Sequence, residues 1–339
     1  MYPLDRGKWG PTVRIGHLRD ALAELADLDV VAGYRGPRRL ALARYAVSGR
    51  LRRLDGIYVE NSSNLPSETD LAFLGLARGL GVPVLTYIRD AQYLFAEYYV
   101  ADSVKRRLAR AAFPAAARAL RAVSSRVAYP SRGLAEAVGD DSADPLLLPP
   151  GSPAPFEIAR EPAASALLFV GGMRHHVHGL DLLVDAVERA RSNGHEPTVI
   201  SVSRPGEEPP EPRPDWLRVE HGDESTIRAV LPQVIATIQP RRCSPYNEIA
   251  VPIKVMEYLS YGRPLIVTDC LEQATIVREA DVGLVVDDSV DGLADGIRAV
   301  LEADPSQLER WSVNAAAAAR ANAWSERARR IVAVIESLG

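Results

Sequence analysis

Asn247-Glu248-Ile249-Ala250-Val251-Pro252-Ile253-Lys254-Val255-Met256-Glu257-Tyr258, closed by Gly262-Arg263-Pro264, reads as the passage from one element into the next. Residues 234–239 before it form an uncharged apolar run of strand type. Residues 253–261 carry apolar side chains at helical spacing. The stretch is therefore a strand end, a loop and a helix start. Pro252 suits a first helical turn, where a missing N–H costs nothing. A helix N-terminus offers unpaired N–H groups and a positive dipole end to an anion such as a phosphate. Lys254 would face the same anion, and Glu257, one turn on, is placed to accept two hydroxyl hydrogen bonds from a ribose. The plainer alternative is an amphipathic helix with a solvated Lys–Glu edge. Composition weighs against it, because Lys8, Lys105 and Lys254 are the only lysines among 40 basic residues.

The same alternation of strand-like and helix-like segments runs along the whole chain. Before residue 150, strands are expected at 28–32, 56–60, 82–88, 122–124, 128–129 and 146–148, and helices at 14–26, 38–53 and 67–80. Two basic helical stretches follow, with a break near Pro114, because proline costs a helix interior about 3 kcal/mol. Pro149-Pro150-Gly151-Ser152-Pro153-Ala154-Pro155 is the strongest interruption and marks a domain boundary. Beyond it, strands are expected at 166–170, 197–203, 217–220, 234–239, 264–268 and 283–286. Helices are expected at 179–192, 225–231, 253–261, 271–280, 290–303, 306–320 and 324–338. The pattern is an α/β chain of two Rossmann-like, doubly wound domains with parallel sheets. We read residues 1–150 as one domain, 151–322 as a second, and 323–339 as a last helix. Only about five residues precede the Gly7-Lys8-Trp9-Gly10 loop, too few for a usual opening strand. Either the first sheet lacks that strand or Met1 is an internal start.

The 339 residues suit two domains. Two cysteines, Cys243 and Cys270, cannot build a disulfide framework and favour a reducing cytosol. No apolar run reaches a membrane span, and residues 1–6 lack a signal-peptide core. A net charge of −4 argues against a general nucleic-acid binder. That average hides an asymmetry: residues 1–145 carry 21 Lys/Arg against 16 Asp/Glu, and the remainder 19 against 28. Residues 103–135 hold no acid between Asp102 and Glu136, but do hold Lys105, Arg106, Arg107, Arg110, Arg118 and Arg121. The stretch is either a solvated face turned to the acidic second domain or a surface for anionic lipid headgroups.

Pro252, Lys254, Glu257, Tyr258, Gly262 and Pro264 together form a Pro-x-Lys-x-x-Glu-Tyr-x-x-x-Gly-x-Pro run. This resembles the retaining nucleotide-sugar glycosyltransferases of the GT-B fold, the group that includes family 4. Residues 276–286, Leu168-Phe169-Val170-Gly171-Gly172 and Gly179-Leu180-Asp181-Leu182-Leu183 look like the same family. The resemblance implies two Rossmann-like domains with the active site in the cleft between them: 1–150 binding the acceptor, 151–322 binding the nucleotide-sugar, and 323–339 a helix crossing back to the first. It implies that Glu257 binds the nucleotide ribose, while the amides of Ile249, Ala250 and Val251 hold the diphosphate. Many relatives have a second glutamate eight residues earlier, where this chain has Ile249; Glu248 or Asn247 would take its part. Near Gly172, relatives place an arginine and a lysine, matched here by Arg174 and by His178 in the lysine's place. His178 is only partly charged near neutrality, which weakens phosphate neutralisation.

In the first domain, Gly7, Trp9 and Gly10 resemble the glycine loop over donor and acceptor. Arg89 and Asp90 end a strand where relatives carry His-Asp or His-Glu near the transferred sugar. With Glu248 they are the candidate catalytic residues. His175, His176 and His178 invite a metal, but no further ligand is evident, and the family's chemistry needs neither metal nor other cofactor. The expectation is a cytoplasmic transferase, peripheral at the inner face of the cell membrane. It would move a sugar from a nucleotide diphospho-sugar to a glycan or lipid-linked acceptor. A nucleotide-sugar 2-epimerase on the same fold and a degenerate, non-catalytic binding protein are the alternatives. The intact Lys254–Glu257 run favours the transferase.

Overall fold

The chain packs into two units. The computed structural model describes residues 10–33, 35–61, 65–157, 162–172, 179–208 and 211–339. The first unit comprises Met1–Gly151, Ile249–Val251 and Trp324–Gly339; the second comprises Ser152–Glu248 and Pro252–Ala323.

The first unit begins with α1 (Gly10–Ala23) and α2 (Arg35–Val47), followed by β1 (Ile57–Asn61) and α3 (Glu68–Gly79). It continues with β2 (Val84–Ile88), α4 (Val104–Ala122), β3 (Arg126–Tyr129), α5 (Arg132–Ala137) and β4 (Leu146–Leu147). The four strands are parallel and lie in chain order β1-β2-β3-β4. Their side chains alternate between two cores, as the period of a strand requires. Val84, Ile88 and Tyr129 join Leu74, Phe113 and Leu120 on one face. Leu85, Tyr87 and Ala128 join Leu18, Trp324 and Ile331 on the other.

Three expectations for this unit are corrected. Residues 28–32 form no strand. Asp29 within that run instead accepts hydrogen bonds from Tyr45 Oη and Arg50 Nη2, both at 2.8 Å, so side chains and not a ladder fix it. The segment and β1 together line an apolar cavity of about 300 Å³. Pro114 breaks nothing: α4 is one helix of 19 residues with the proline inside. The buried stripe Phe113, Ala117 and Leu120 holds it together, since burying such side chains is worth more than one lost hydrogen bond. Residues 122–124 are the end of that helix, with Ser124 Oγ against Thr86 Oγ1 at 2.7 Å. Residues 1–9, the stretch where an opening strand was in question, lie outside the described residues.

The second unit runs β5 (Ala166–Val170), α6 (Leu180–Ser192), β6 (Thr198–Ser203), β7 (Leu217–His221), α7 (Glu224–Val230) and β8 (Val234–Gln239). A short α8 (Pro245–Ile249), expected as loop, precedes α9 (Ile253–Ser260). Then follow β9 (Leu265–Thr268), α10 (Leu271–Ala280), β10 (Gly283–Val286), α11 (Val290–Leu301) and α12 (Pro305–Ala321). The last helix, α13 (Trp324–Glu336), belongs to the first unit and packs on α1. The second sheet is parallel, in the order β10-β9-β8-β5-β6-β7. After β7 the chain returns to the other side of β5, so the order reverses between β5 and β8. A reversal of this kind opens a crevice at the carboxyl ends of the strands, where ligands of open α/β sheets bind.

Candidate functional site

That crevice is built from two helix starts. β5 ends in Val170-Gly171-Gly172 and leads towards α6, while β8 ends at Gln239 and leads through α8 to α9. Gly179, at the N-cap of α6, has φ +73°, and a Cβ there would fall 1.5 Å from the carbonyl oxygen of Pro240. Only glycine lets α6 begin this close to the end of β8. Among the described residues, neither α6 nor α9 has a side chain capping its N-terminus. Pro252 stands at the N-cap of α9, one place before the first turn expected for it. Two uncapped helix starts thus face the strand ends at the point of reversal, an arrangement suited to an anion.

Lys254 occupies the first turn of α9. Its Nζ is buried and makes no hydrogen bond among the described residues. It lies 4.9 Å from the centroid of Phe169. A Cβ on Gly171, whose φ is +119°, would stand 2.4 Å from it. Gly171 therefore leaves the space the ammonium fills. Burial pushes the lysine down to about 8, Glu257 opposing this, Arg241 adding to it and Glu207 opposing it. Glu257, one turn along α9, is pushed up to about 7 by burial against the pull of Lys254. Both groups sit where charge is costly and a complementary ligand would restore it. Tyr258, fully buried, accepts a hydrogen bond at its Oη from the Val170 N–H at 2.9 Å. The tyrosine of the run thus fastens α9 to the end of β5. Gly262, at φ +60°, ends the helix in the left-handed conformation.

The other expected donor residues divide. Gly172 follows β5, and Glu207 packs against it, its carboxylate 3.2 Å from where a Cβ would be. Asn247 is buried in α8 and donates through Nδ2 to the Arg242 carbonyl at 2.6 Å, which shapes the loop. Glu248 accepts the Leu271 N–H at 2.7 Å, so its carboxylate sits at the start of α10. Ile249, Ala250 and Val251 are counted in the first unit, where the Ile249 carbonyl accepts a hydrogen bond from Ser131 Oγ at 2.5 Å. Arg174 and His178 lie outside the described residues, as do His175 and His176. Arg241 and Glu207 were not singled out from the sequence. Nothing local marks them, and only the strand order brings them near Lys254.

In the first unit, Asp90 accepts the Gln92 N–H at 2.9 Å and shapes the turn after β2. Arg89, beside it, lies near a polar cluster that the sequence did not disclose. Arg14 of α1 is buried with Glu60 at the end of β1, its Nε 2.8 Å from Oε1. Tyr58 Oη donates to Glu60 Oε2 at 2.6 Å, and the Arg14 guanidinium lies 4.2 Å from the Tyr87 ring centroid. Burial pushes the Glu60 carboxyl up, but Arg14 and the hydrogen bonds from Arg14 and Tyr58 outweigh it and leave the group below its ordinary value. Arg14 Nη1 and Tyr87 Oη make no hydrogen bond among the described residues. Gly10 is the first residue of α1; Gly7 and Trp9 lie outside the described residues.

Of the basic set, Lys105, Arg106, Arg107 and Arg118 are exposed on α4, and Arg110 is half-buried. Arg121 turns inward to the Val138 carbonyl at 2.6 Å and leaves that face. Val104 and Leu108 are exposed among the basic side chains. Among the described residues no helix is long and apolar enough to cross a membrane.

Residues 164–303, most of the second unit, match the family model of glycosyl transferases group 1. No curated protein matches the chain. Among solved structures, HepE of Anabaena in complex with UDP and glucose aligns with TM-score 0.65 and 14% identity over 99% of this chain and 98% of that one. The UDP-forming α,α-trehalose-phosphate synthase of Burkholderia xenovorans, in complex with glucose-6-phosphate, aligns with TM-score 0.60 and 14% identity over 96% and 83%. Sucrose-phosphate synthase of Thermosynechococcus elongatus gives TM-score 0.60 and 13% identity over 97% and 94%. The match to glycosyl transferases group 1 thus lies within the second unit, and the chain has the GT-B fold of these solved structures.

Proposed function

We propose that the second unit holds a nucleotide diphospho-sugar and that its glycosyl group passes to an acceptor hydroxyl with retention of configuration. The observation that carries this is the buried Lys254 Nζ, which makes no hydrogen bond among the described residues, in the first turn of α9 beside Gly171 at the strand-order reversal. A diphosphate there meets Lys254, Arg241 and the N–H groups that open α6 and α9. Glu257 receives the ribose hydroxyls. Catalysis in this reading is stabilisation of leaving-group charge together with positioning. The acceptor oxygen attacks the anomeric carbon from the face the diphosphate leaves, the C–O bond to the diphosphate breaks, and the diphosphate takes up the acceptor's proton. Lysine, arginine and helix dipoles supply the positive charge, so the scheme uses no divalent metal or other cofactor.

The acceptor in this reading is a lipid-linked or cell-envelope glycan, met at the inner face of the cell membrane. The exposed Lys105, Arg106, Arg107 and Arg118, with Val104 and Leu108 among them, support it, because basic side chains near an anionic surface contribute up to about 1 kcal/mol each. Flotation with vesicles should recover the protein with anionic lipid and not with neutral lipid. Equal recovery would leave α4 as a solvated helix.

The donor site is tested by calorimetric titration with UDP, GDP and ADP, with EDTA present. UDP is the first choice, since it occupies the HepE complex. Micromolar binding of one of the three is expected. Binding of none by the folded protein would turn the reading towards a degenerate, non-catalytic relative.

A further inference from the structure

The chain's two cysteines meet in the fold. β8 and β9 pair in parallel with Gln239 beside Val267. Cys243 lies four residues beyond the first of these and Cys270 three beyond the second, so the two leave the sheet together. Cys243 is anchored by its N–H to Asp288 Oδ2 at 2.8 Å. Cys270 caps α10, and the Arg241 carbonyl lies 3.4 Å from its Sγ. Both are free thiols, their Sγ atoms 2.9 Å apart. Cys270 is fully buried and Cys243 half-buried. Glu248 completes the group, with one oxygen within 4.8 Å of both sulfurs.

We propose that Cys243 and Cys270 form a reversible disulfide that clasps the loop carrying Asn247 and Glu248 to the start of α10. A disulfide needs the sulfurs at about 2.05 Å, so they have less than ~1 Å to close. A tetrahedral thiolate–metal site would instead require the two sulfurs to move apart to make room for the ion. The accessible Cys243 is the thiol an oxidant can reach. As thiolate it attacks one sulfur of a low-molecular-weight disulfide, forming a mixed disulfide and releasing one thiol. Cys270 then attacks Cys243 Sγ and expels the second thiol. Two S–H groups become one S–S bond, and the oxidant is reduced to two thiols. Burial pushes both thiols up. Exchange therefore quickens as pH rises.

The effect on the donor rests on the function proposed above. The clasp restrains the segment between β8 and α9, so the site loses less freedom when nucleotide binds. The test treats the native chain with oxidised glutathione, followed by peptide mapping without reduction and by thiol titration. Expected are a Cys243–Cys270 link, loss of both titratable thiols, full return with dithiothreitol, and a melting temperature several degrees higher when linked. Cys270→Ser should stop at a mixed disulfide on Cys243. A wild-type protein that stops there too, that links only after unfolding, or whose thiols are shielded by an EDTA-removable metal would overturn the proposal. UDP, or the nucleotide selected above, should bind the linked form at least threefold more tightly. Equal affinity would overturn the coupling to the donor site. Binding to neither form would strike down the donor site itself and leave the mapped link standing.

Discussion

At the scale of single residues, the site sets two titrations against each other. Lys254 is pushed down to about 8 and Glu257 up to about 7, each chiefly by burial. A diphosphate favours the charged lysine, which is present below about pH 8. A ribose diol favours the ionised glutamate, which is present above about pH 7. Donor affinity should therefore peak between these values and fall on both sides. Glu257→Gln should remove the acid limb and weaken binding by about 1–3 kcal/mol. Lys254→Met should remove the alkaline limb. Calorimetry of wild type and both variants from pH 6 to 9 checks this. An acid limb that persists in Glu257→Gln would assign it to another group. The lysine's unusual presence in an arginine-using chain was legible in the sequence, because composition and spacing are local facts. The Arg14–Glu60–Tyr87 cluster was not, because a residue of α1 meets the ends of β1 and β2 only through tertiary packing.

At the scale of elements, the second unit was read closely because every strand but β7, which carries Arg218 and Glu220, is an uncharged run and each long helix has a clear apolar stripe. The misreadings fall where local preference and packing disagree. Residues 28–32 have strand composition, but Asp29 binds Tyr45 and Arg50 instead of leaving the run free to pair. Pro114 has helix-breaking chemistry, yet Phe113 on one side and Ala117 and Leu120 beyond it are buried in the core under β2 and β3. The helix therefore keeps going and bears the local penalty. Pro114 itself is exposed. Pro114→Ala should restore the missing N–H and stabilise the first unit, by up to about 3 kcal/mol. Urea unfolding monitored by circular dichroism should show a raised midpoint with an unchanged slope. A lowered midpoint would mean that the proline ring itself contributes packing at that place.

At the scale of the whole molecule, the first unit is assembled from three separate stretches of chain, Met1–Gly151, Ile249–Val251 and Trp324–Gly339. Its second core closes only when α13 arrives. Trp324, Ala328 and Ile331 pack there with Leu18, Leu85 and Tyr87, and Arg327 Nε donates to the Pro149 carbonyl at 2.8 Å. Gly151 is fitted to this indole, since a Cβ at that place would lie 2.5 Å from Trp324 Cδ2. The second unit is complete without any of these residues and has two cores of its own, on either face of its sheet. Trp324→Ala should accordingly cost about 3–5 kcal/mol, and only in the first unit. Hydrogen exchange followed by mass spectrometry should then show faster exchange in α1, β2 and α13, with α6, β8 and α11 unchanged. The distinction follows from where the lost contacts lie, because local opening reports the stability of the unit that contains them. Equal loss of protection in both units would mean that they unfold as one, and the division of the chain would carry no thermodynamic weight.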